Sequence, residues 1–528
     1  MSGTLQATAT DAARNTATAT DAALNTATAT DAALNSATGT DAGVIGTYVP
    51  VITGDPVMGL TVSASDAHTT VRARSDFQCP GAADDVQIAL ALAALPSGGG
   101  QLELSEGTFV LAAGFSLGDG NCIRGKGDST IIDVSGVTAT GNAITWGTWS
   151  QLSDVKIVGN GASDTEGRRL ALGDHGVAHR ITIAQNNYGL SIANVDHVSV
   201  QDLWFEDLRG ANGWAAGFHV TGTSNDIVAT NIHGEDSDRG IEIEDGPGNV
   251  SIRGVHFERI KPLSGYGMVV DVHCHVGGGT VRGVWISDVY LLECDRASVS
   301  GASATDQASG IVYENFRIDN PDIYTGNAIL TSSQCKDVTF RNIRIHNNTE
   351  TEVLAAATGA EHVMFDNIHA VSSVTNIATF TGTDIALVNS SFEDTGGNAN
   401  GGLSITGGGS DILLDNVTVR GCIGTYGLRL STMTNVTVRN CRVLTDTGND
   451  TAVYVLGSVT NVRLSNNFVE GEALAMNVRA TGGRIAGNRC AAGINLHADS
   501  SNLVVEMNAL VSGSITDAGT GNTVQNNT

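Results

Sequence analysis

The chain has 528 residues, of which 65 are Gly and only 7 are Pro, a balance that excludes collagen and argues against Pro-rich disorder. With 28 basic and 55 acidic residues it carries a net charge of -27, so nucleic acid and anionic membrane surfaces are not expected as partners. Hydrophobic residues make up 41% and aromatics only 5%, so the core must be built mainly from Val, Ile, Leu and Ala, and β-branched residues with Gly and Asn favour strands and turns.

The first residues lack a charged n-region and an apolar h-region, and no run of 18 apolar residues occurs, so neither a signal peptide nor membrane insertion is expected. The eight Cys are scattered, without a CxxC pair or His partners at zinc spacing. They read as small buried hydrophobes of a chain made in a reducing cytosol. Cys422 and Cys441 fall on neighbouring repeats, but no bridge is assigned to them. There is no P-loop, no Rossmann fingerprint, no HExxH and no GxSxG, and neither a cofactor nor a metal is expected. Scarce Lys (126, 156, 261 and 336 only) and abundant Asp fit a salt-adapted or GC-rich source.

In chain order, residues 1–46 repeat every ten residues, with Asp11, Asp21, Asp31 and Asp41 opening successive Ala/Thr-rich units. Such a segment cannot bury enough surface alone and would order by self-association or against another protein. It is read as an attachment or oligomerisation stalk. Residues 47–75 are read as a linker. From 76 to 149 the pattern is a cap with the first coils. Asp84 and Asp85 stand where N-cap and first-turn acids belong. The helix that follows is apolar almost all round, which predicts burial, and Pro96-Ser97-Gly98-Gly99-Gly100 stops it.

This block resembles the opening of the pectate-lyase-like region of tailspike and tail-fibre proteins of tailed bacteriophages and archaeal viruses. The matching residues are Gly81, Asp84 and Asp85, then Gly98-Gly99-Gly100, then Gly107-Thr108-Phe109, with one extra Ala in the first turn. The resemblance implies a parallel β-helix, a homotrimer and a place in the virion tail after assembly in the host cytoplasm. It also implies host surface polysaccharide or glycoprotein as a partner, with other tail proteins held through residues 1–46. It is silent on the reaction.

From 150 to 528 a second repeat runs, as in Asp411-Ile412-Leu413-Leu414-Asp415-Asn416-Val417-Thr418-Val419. Its anchors, among them Val198, Ile227, Val250, Val281, Ile311, Val338, Ile485 and Leu503, recur about every 25 residues, the period of a parallel β-helix coil. The fold class is therefore all-β: a right-handed, single-stranded parallel β-helix with a short N-terminal capping helix and a decapeptide-repeat stalk. Recurrent corner Asn residues are placed to bond from coil to coil.

All five Trp and eight of the 13 His fall between residues 146 and 285. Within that window, strands aligned on Gly217, Gly240 and Gly267 put Phe218, Val220, Ile241, Ile243, Met268, Val270 and Val272 inward. Period two then sends His219, Glu242, Glu244, Asp271 and His273 outward on one face. The alignment predicts Glu242 and Glu244 about 6.7 Å apart along the strand, and Glu244 about 4.8 Å from Asp271 across rungs. Paired carboxylates suit glycoside hydrolysis, where one is protonated and the other ionised. Glu242, Glu244 and Asp271 are the candidate catalytic residues, and His219, Trp214, Arg239, Tyr266 and His273 the candidate substrate contacts.

Arg259-Ile260-Lys261 matches a tripeptide of polygalacturonases, whose Gly-His-Gly and paired-Asp motifs are missing, so that activity is not carried over. Lys261 or Arg259 would be the base of a polysaccharide lyase. The expected function is recognition, with or without depolymerisation, of host surface glycan during adsorption. The alternatives are a non-catalytic receptor-binding or structural virion protein, and the lyase.

Overall fold

Short β-branched runs broken by Gly, Asn and Asp wind into a right-handed parallel β-helix of about 15 turns. The coordinates are a computed structural model and describe residues 59–528, apart from 139–140, 162–168, 211–212, 214, 262–267, 322–326, 349–351, 373–375, 395–401, 423–424, 446–450 and 472. The decapeptide repeats at 1–46 lie outside the described residues. No helix among the described residues is long and apolar enough to cross a membrane.

Each turn adds a strand to each of two parallel ladders. The first holds long strands such as Asn225–Glu235, Gly248–Glu258 and Val281–Leu292. The second holds short ones, including Leu190–Ala193, Ala216–Thr221, Arg239–Glu244, Val270–His273 and Ala297–Ser300. The long strands bend at residues held at positive φ: Asp202, Asn231, Asp288, Asn315, Asn342 and Asn367 all lie between 55° and 58°. Asn and Asp take this conformation at lower cost than other residues with side chains. Their side chains then bond along the rod, with Asn342 Nδ2 donating to Asn315 Oδ1 at 3.0 Å and Asn367 Nδ2 to Asn342 Oδ1 at 2.9 Å.

Alternate side chains of successive strands enter one continuous core, which the last strand, Thr523–Gln525, does not join. Phe340, Phe365 and Phe380 stack there with centroids 5.3 and 5.7 Å apart. Anchors from the repeat match the registers Ile227↔Val250, Ile311↔Val338 and Ile412↔Val436. Two slip. The partner of Val250 is Val284 rather than Val281, and the partner of Val462 is Gly483 rather than Ile485. Coil length varies, and a fixed period cannot absorb that.

The capping helix runs over Asp85–Ala93 and buries Ile88, Ala91 and Leu92, but leaves Val86 and Leu90 each 52% exposed. The expectation of all-round burial is corrected: one face covers the end of the core and the other does not. Asp84 makes no side-chain cap to its helix. Instead Asp84 accepts from the Gly81 and Val110 amides, and Asp85 from that of Ala112, so both carboxylates tie the helix to the first coils. The strand Gly59–Ser63 already pairs with Gln101–Leu104, so part of the 47–75 segment belongs to the solenoid. The described cysteines are free thiols, and Cys422 registers with Thr445 rather than Cys441.

Candidate functional site

The second ladder supplies the site. Its registers place His219 beside Glu242, Glu242 beside Asp271, Glu244 beside His273, and Asp271 beside Ser298. This corrects the expected Glu244–Asp271 neighbours. The true register sets Ile241 against Val270, two residues from the alignment on Gly267. A two-residue slip keeps every side chain on its face and changes only its neighbours. Val270 and Val272 are inward, as read from the sequence. Met268 precedes the strand and is not inward; its sulfur lies 2.9 Å from Ser298 Oγ.

The outward face is not a solvated one. His219 is 3% exposed, Glu242 5%, Asp271 2% and His273 8%. The connection before Arg239–Glu244 is only Asp236–Asp238, while those on the two flanking coils, 207–215 and 259–269, are longer. Trp214 and Tyr266 lie outside the described residues. Arg239 is described and its guanidinium bonds Glu242.

Burying this much charge is tolerable only because the groups partner one another. Tyr188 Oη lies 3.2 Å from His219 Nδ1 and donates to Glu242 Oε2 at 3.5 Å. His219 Nε2 is 2.8 Å from Glu244 Oε1, and His273 Nε2 is 3.2 Å from Glu244 Oε2. The far side of His273, Nδ1, sits 2.8 Å from Asp271 Oδ2, and Ser298 Oγ donates to Asp271 Oδ1 at 2.5 Å. An unbroken line of polar contacts thus runs from Tyr188 to Ser298 across successive coils.

This arrangement separates the three carboxyls. Burial pushes Glu242 above its ordinary range, and the opposing pull of Arg239 and His219 does not cancel it. Burial also acts most strongly on Asp271, but His273 and Ser298 outweigh it and hold that carboxylate below its ordinary range. For Glu244 burial is again the largest single influence, and hydrogen bonds from His219 and His273 overturn it, leaving a firmly ionised group. His273 is desolvated, which alone would lower it, yet Asp271 and Glu244 raise it to about 11. Glu242 is therefore suited to hold a proton and Asp271 to lack one. Glu244 is tied up by imidazoles.

Sequence reasoning missed Tyr188, Ser298 and His275. Tyr188 lies before its strand under the Arg169 guanidinium, 4.5 Å from the ring centroid, and no local pattern marks it. Ser298 occupies an ordinary outward position. His275 was visible only as one of the clustered His, and its Nδ1 lies 3.5 Å from Glu244 Oε2. Among the described residues three groupings could hold a metal ion: Glu242, Asp271 and His273; Glu244, His273 and His275; and, elsewhere, Asp174, His175 and His197. Arg259 is a poor candidate base, because its Nε and Nη2 bond Asp236 at 2.8 and 2.9 Å.

No protein-family model matches the chain, and no curated protein matches it. Among solved structures it is similar to the pre-mature gene product 12 of bacteriophage phi29, with 14% identity over 84% of this chain and 71% of that one, at a TM-score of 0.47. It is also similar to the tailspike protein of E. coli bacteriophage HK620, with 10% identity over 72% and 69% of the two chains and a TM-score of 0.42. The family 28 exopolygalacturonase of Yersinia enterocolitica matches at 12% identity over 66% and 74%, with a TM-score of 0.42. These likenesses bear on the fold alone.

Proposed function

We propose that this chain is a virion tail protein that binds host surface glycan and cleaves it as a glycoside hydrolase. The observation that carries the catalytic part is the Glu242–Asp271 pair, side by side on adjacent rungs with environments that drive their protonation apart. Glu242 is the general acid that protonates the leaving oxygen, and Asp271 is the ionised partner. Asp271 serves as its base or nucleophile. Glu244 positions His219 and His273 rather than reacting. The tail assignment is supported by the cap motif and the N-terminal repeats, with residues 1–46 as the attachment and a homotrimer as the assembled form.

Digestion of host envelope polysaccharide, followed by mass spectrometry and anomer-resolved NMR, tests this reading. New reducing ends are expected, and their anomeric configuration tells whether Asp271 acts as base or nucleophile. Unsaturated ends that depend on Lys261 would replace the hydrolase with the lyase. No product from any glycan, with binding intact, would leave a receptor-binding protein.

A further inference from the structure

Glu244, His273 and His275 converge in a way that the acid–base pair does not use. Glu244 Oε2 lies 3.2 Å from His273 Nε2 and 3.5 Å from His275 Nδ1. The three ligand atoms all fall within 4.8 Å of one another. A tetrahedral zinc ion with bonds of about 2.0–2.1 Å needs its ligand atoms about 3.3 Å apart. The two His rings stand at 85° with centroids 4.7 Å apart, so their in-plane lone pairs can meet at one point. We propose that Glu244, His273 and His275 bind one divalent transition-metal ion, with Zn²⁺ the best match to two imidazoles and a carboxylate.

The surroundings are those of a metal centre. Coordination through His273 Nε2 requires the proton on Nδ1, and the Asp271 carboxylate, with Oδ2 2.8 Å from Nδ1, favours a proton there by charge rather than by a well-aligned hydrogen bond. His219 Nε2 holds the other oxygen of Glu244 at 2.8 Å, leaving Oε2 for the ion. His275 exchanges its 2.9 Å contact with Asp245 for the ion, and its 63% exposed side chain gives the ion a route from solvent. Three protein ligands leave a fourth position for water or a glycan oxygen.

The other His-rich grouping is a built-in control. His175 and His197 stack at 18° with centroids 4.6 Å apart, and Trp149 covers the other face of His175 at 3.7 Å. Its nearly parallel rings hold their in-plane lone pairs side by side, so they converge on one ion less well than the crossed pair.

The test is isothermal titration of the full chain with Zn²⁺ alone, with metal analysis after dialysis. One Zn²⁺ per chain is expected, and Ca²⁺ and Mg²⁺ should bind far more weakly. His275→Ala removes an exposed ring, so it tests the site without threatening the fold, and it should weaken Zn²⁺ at least tenfold. Glu244→Gln should do the same, Asp271→Asn should cost about 10–100-fold through the lost tautomer control, and His197→Ala should change nothing. Undiminished Zn²⁺ affinity in His275→Ala, equal binding of Ca²⁺, or loss of binding in His197→Ala overturns the proposal, as does no binding at all. The readout contains no glycan, so failure here and failure of the hydrolase reading are separate results.

Discussion

Glu242 and Glu244 stand two residues apart on one strand face, yet their surroundings shift their pKa values in opposite directions. The difference is one of partners. Glu244 meets two imidazoles, while Glu242 meets Arg239 and a Tyr hydroxyl in a drier position. Glu242→Gln and Asp271→Asn should each cut turnover by about 10²–10⁴-fold while glycan binding persists, as read by product release and by titration with intact glycan. A second residue-scale test lies away from the site. The nearly buried Asp154 takes a bidentate bond from Arg180 at 2.5 and 2.8 Å and one from Arg124 at 3.1 Å. The Arg180 bond holds its pKa below the ordinary carboxylate value. A carboxylate whose folded pKa is depressed stabilises above its unfolded pKa of about 3.9, and that stability is lost as pH falls through the folded pKa. Asp154→Asn should cost about 1 kcal/mol at neutral pH, since both arginines are half exposed. The gap to wild type should close on acidification, by melting temperature against pH.

At the scale of the element, the rod depends on ladders that satisfy its corners. Near the C-terminal coils Asn467, Asn488, Asn508 and Asn527 form a ladder, the first three of them buried. Asn488 Nδ2 donates to Leu464 O and to Asn508 Oδ1, both at 2.9 Å, and its Oδ1 accepts from the Asn467 amide at 3.0 Å. Asn488→Ala strands a buried carbonyl and a buried amide, at about 1–3 kcal/mol each. Asn342→Ala, in the exposed ladder, leaves its partners open to water and should cost under about 1 kcal/mol. Denaturant titration of the two variants gives the comparison. Equal effects would mean that the buried ladder carries no special share of stability. The corner Asn residues were legible in the sequence because they recur with the coil. The buried branch was not, because nothing in a run such as Ser465-Asn466-Asn467 says which Asn turns inward.

At the scale of the whole molecule, a net charge of -27 over the chain makes exposed carboxylates repel at low ionic strength. Screening acts within a Debye length of about 10 Å at 0.1 M salt. The melting temperature should therefore rise between about 0.1 and 1 M NaCl, and a flat or falling curve would remove salt adaptation while leaving the fold untouched. Assembly belongs to this scale as well. Mass photometry should show particles of three chains, and deletion of residues 1–46 should weaken assembly while the circular dichroism of the β-helix persists. A monomer at micromolar concentration would refute the trimer.

The sequence by itself determined the β-helix, its mean coil length, most of its rungs and the face on which Glu242, Glu244 and Asp271 lie. These follow from periodicity, and a period of two survives an alignment error of two residues. Tertiary structure alone decided which carboxylate stands beside Asp271, because rung register depends on how long each connection is. It also decided that the face is buried, and that Tyr188, Ser298 and His275 join it. Tyr188, Ser298 and His275 join the site through stacking of coils at positions that do not recur with the coil, so periodicity leaves no trace of them.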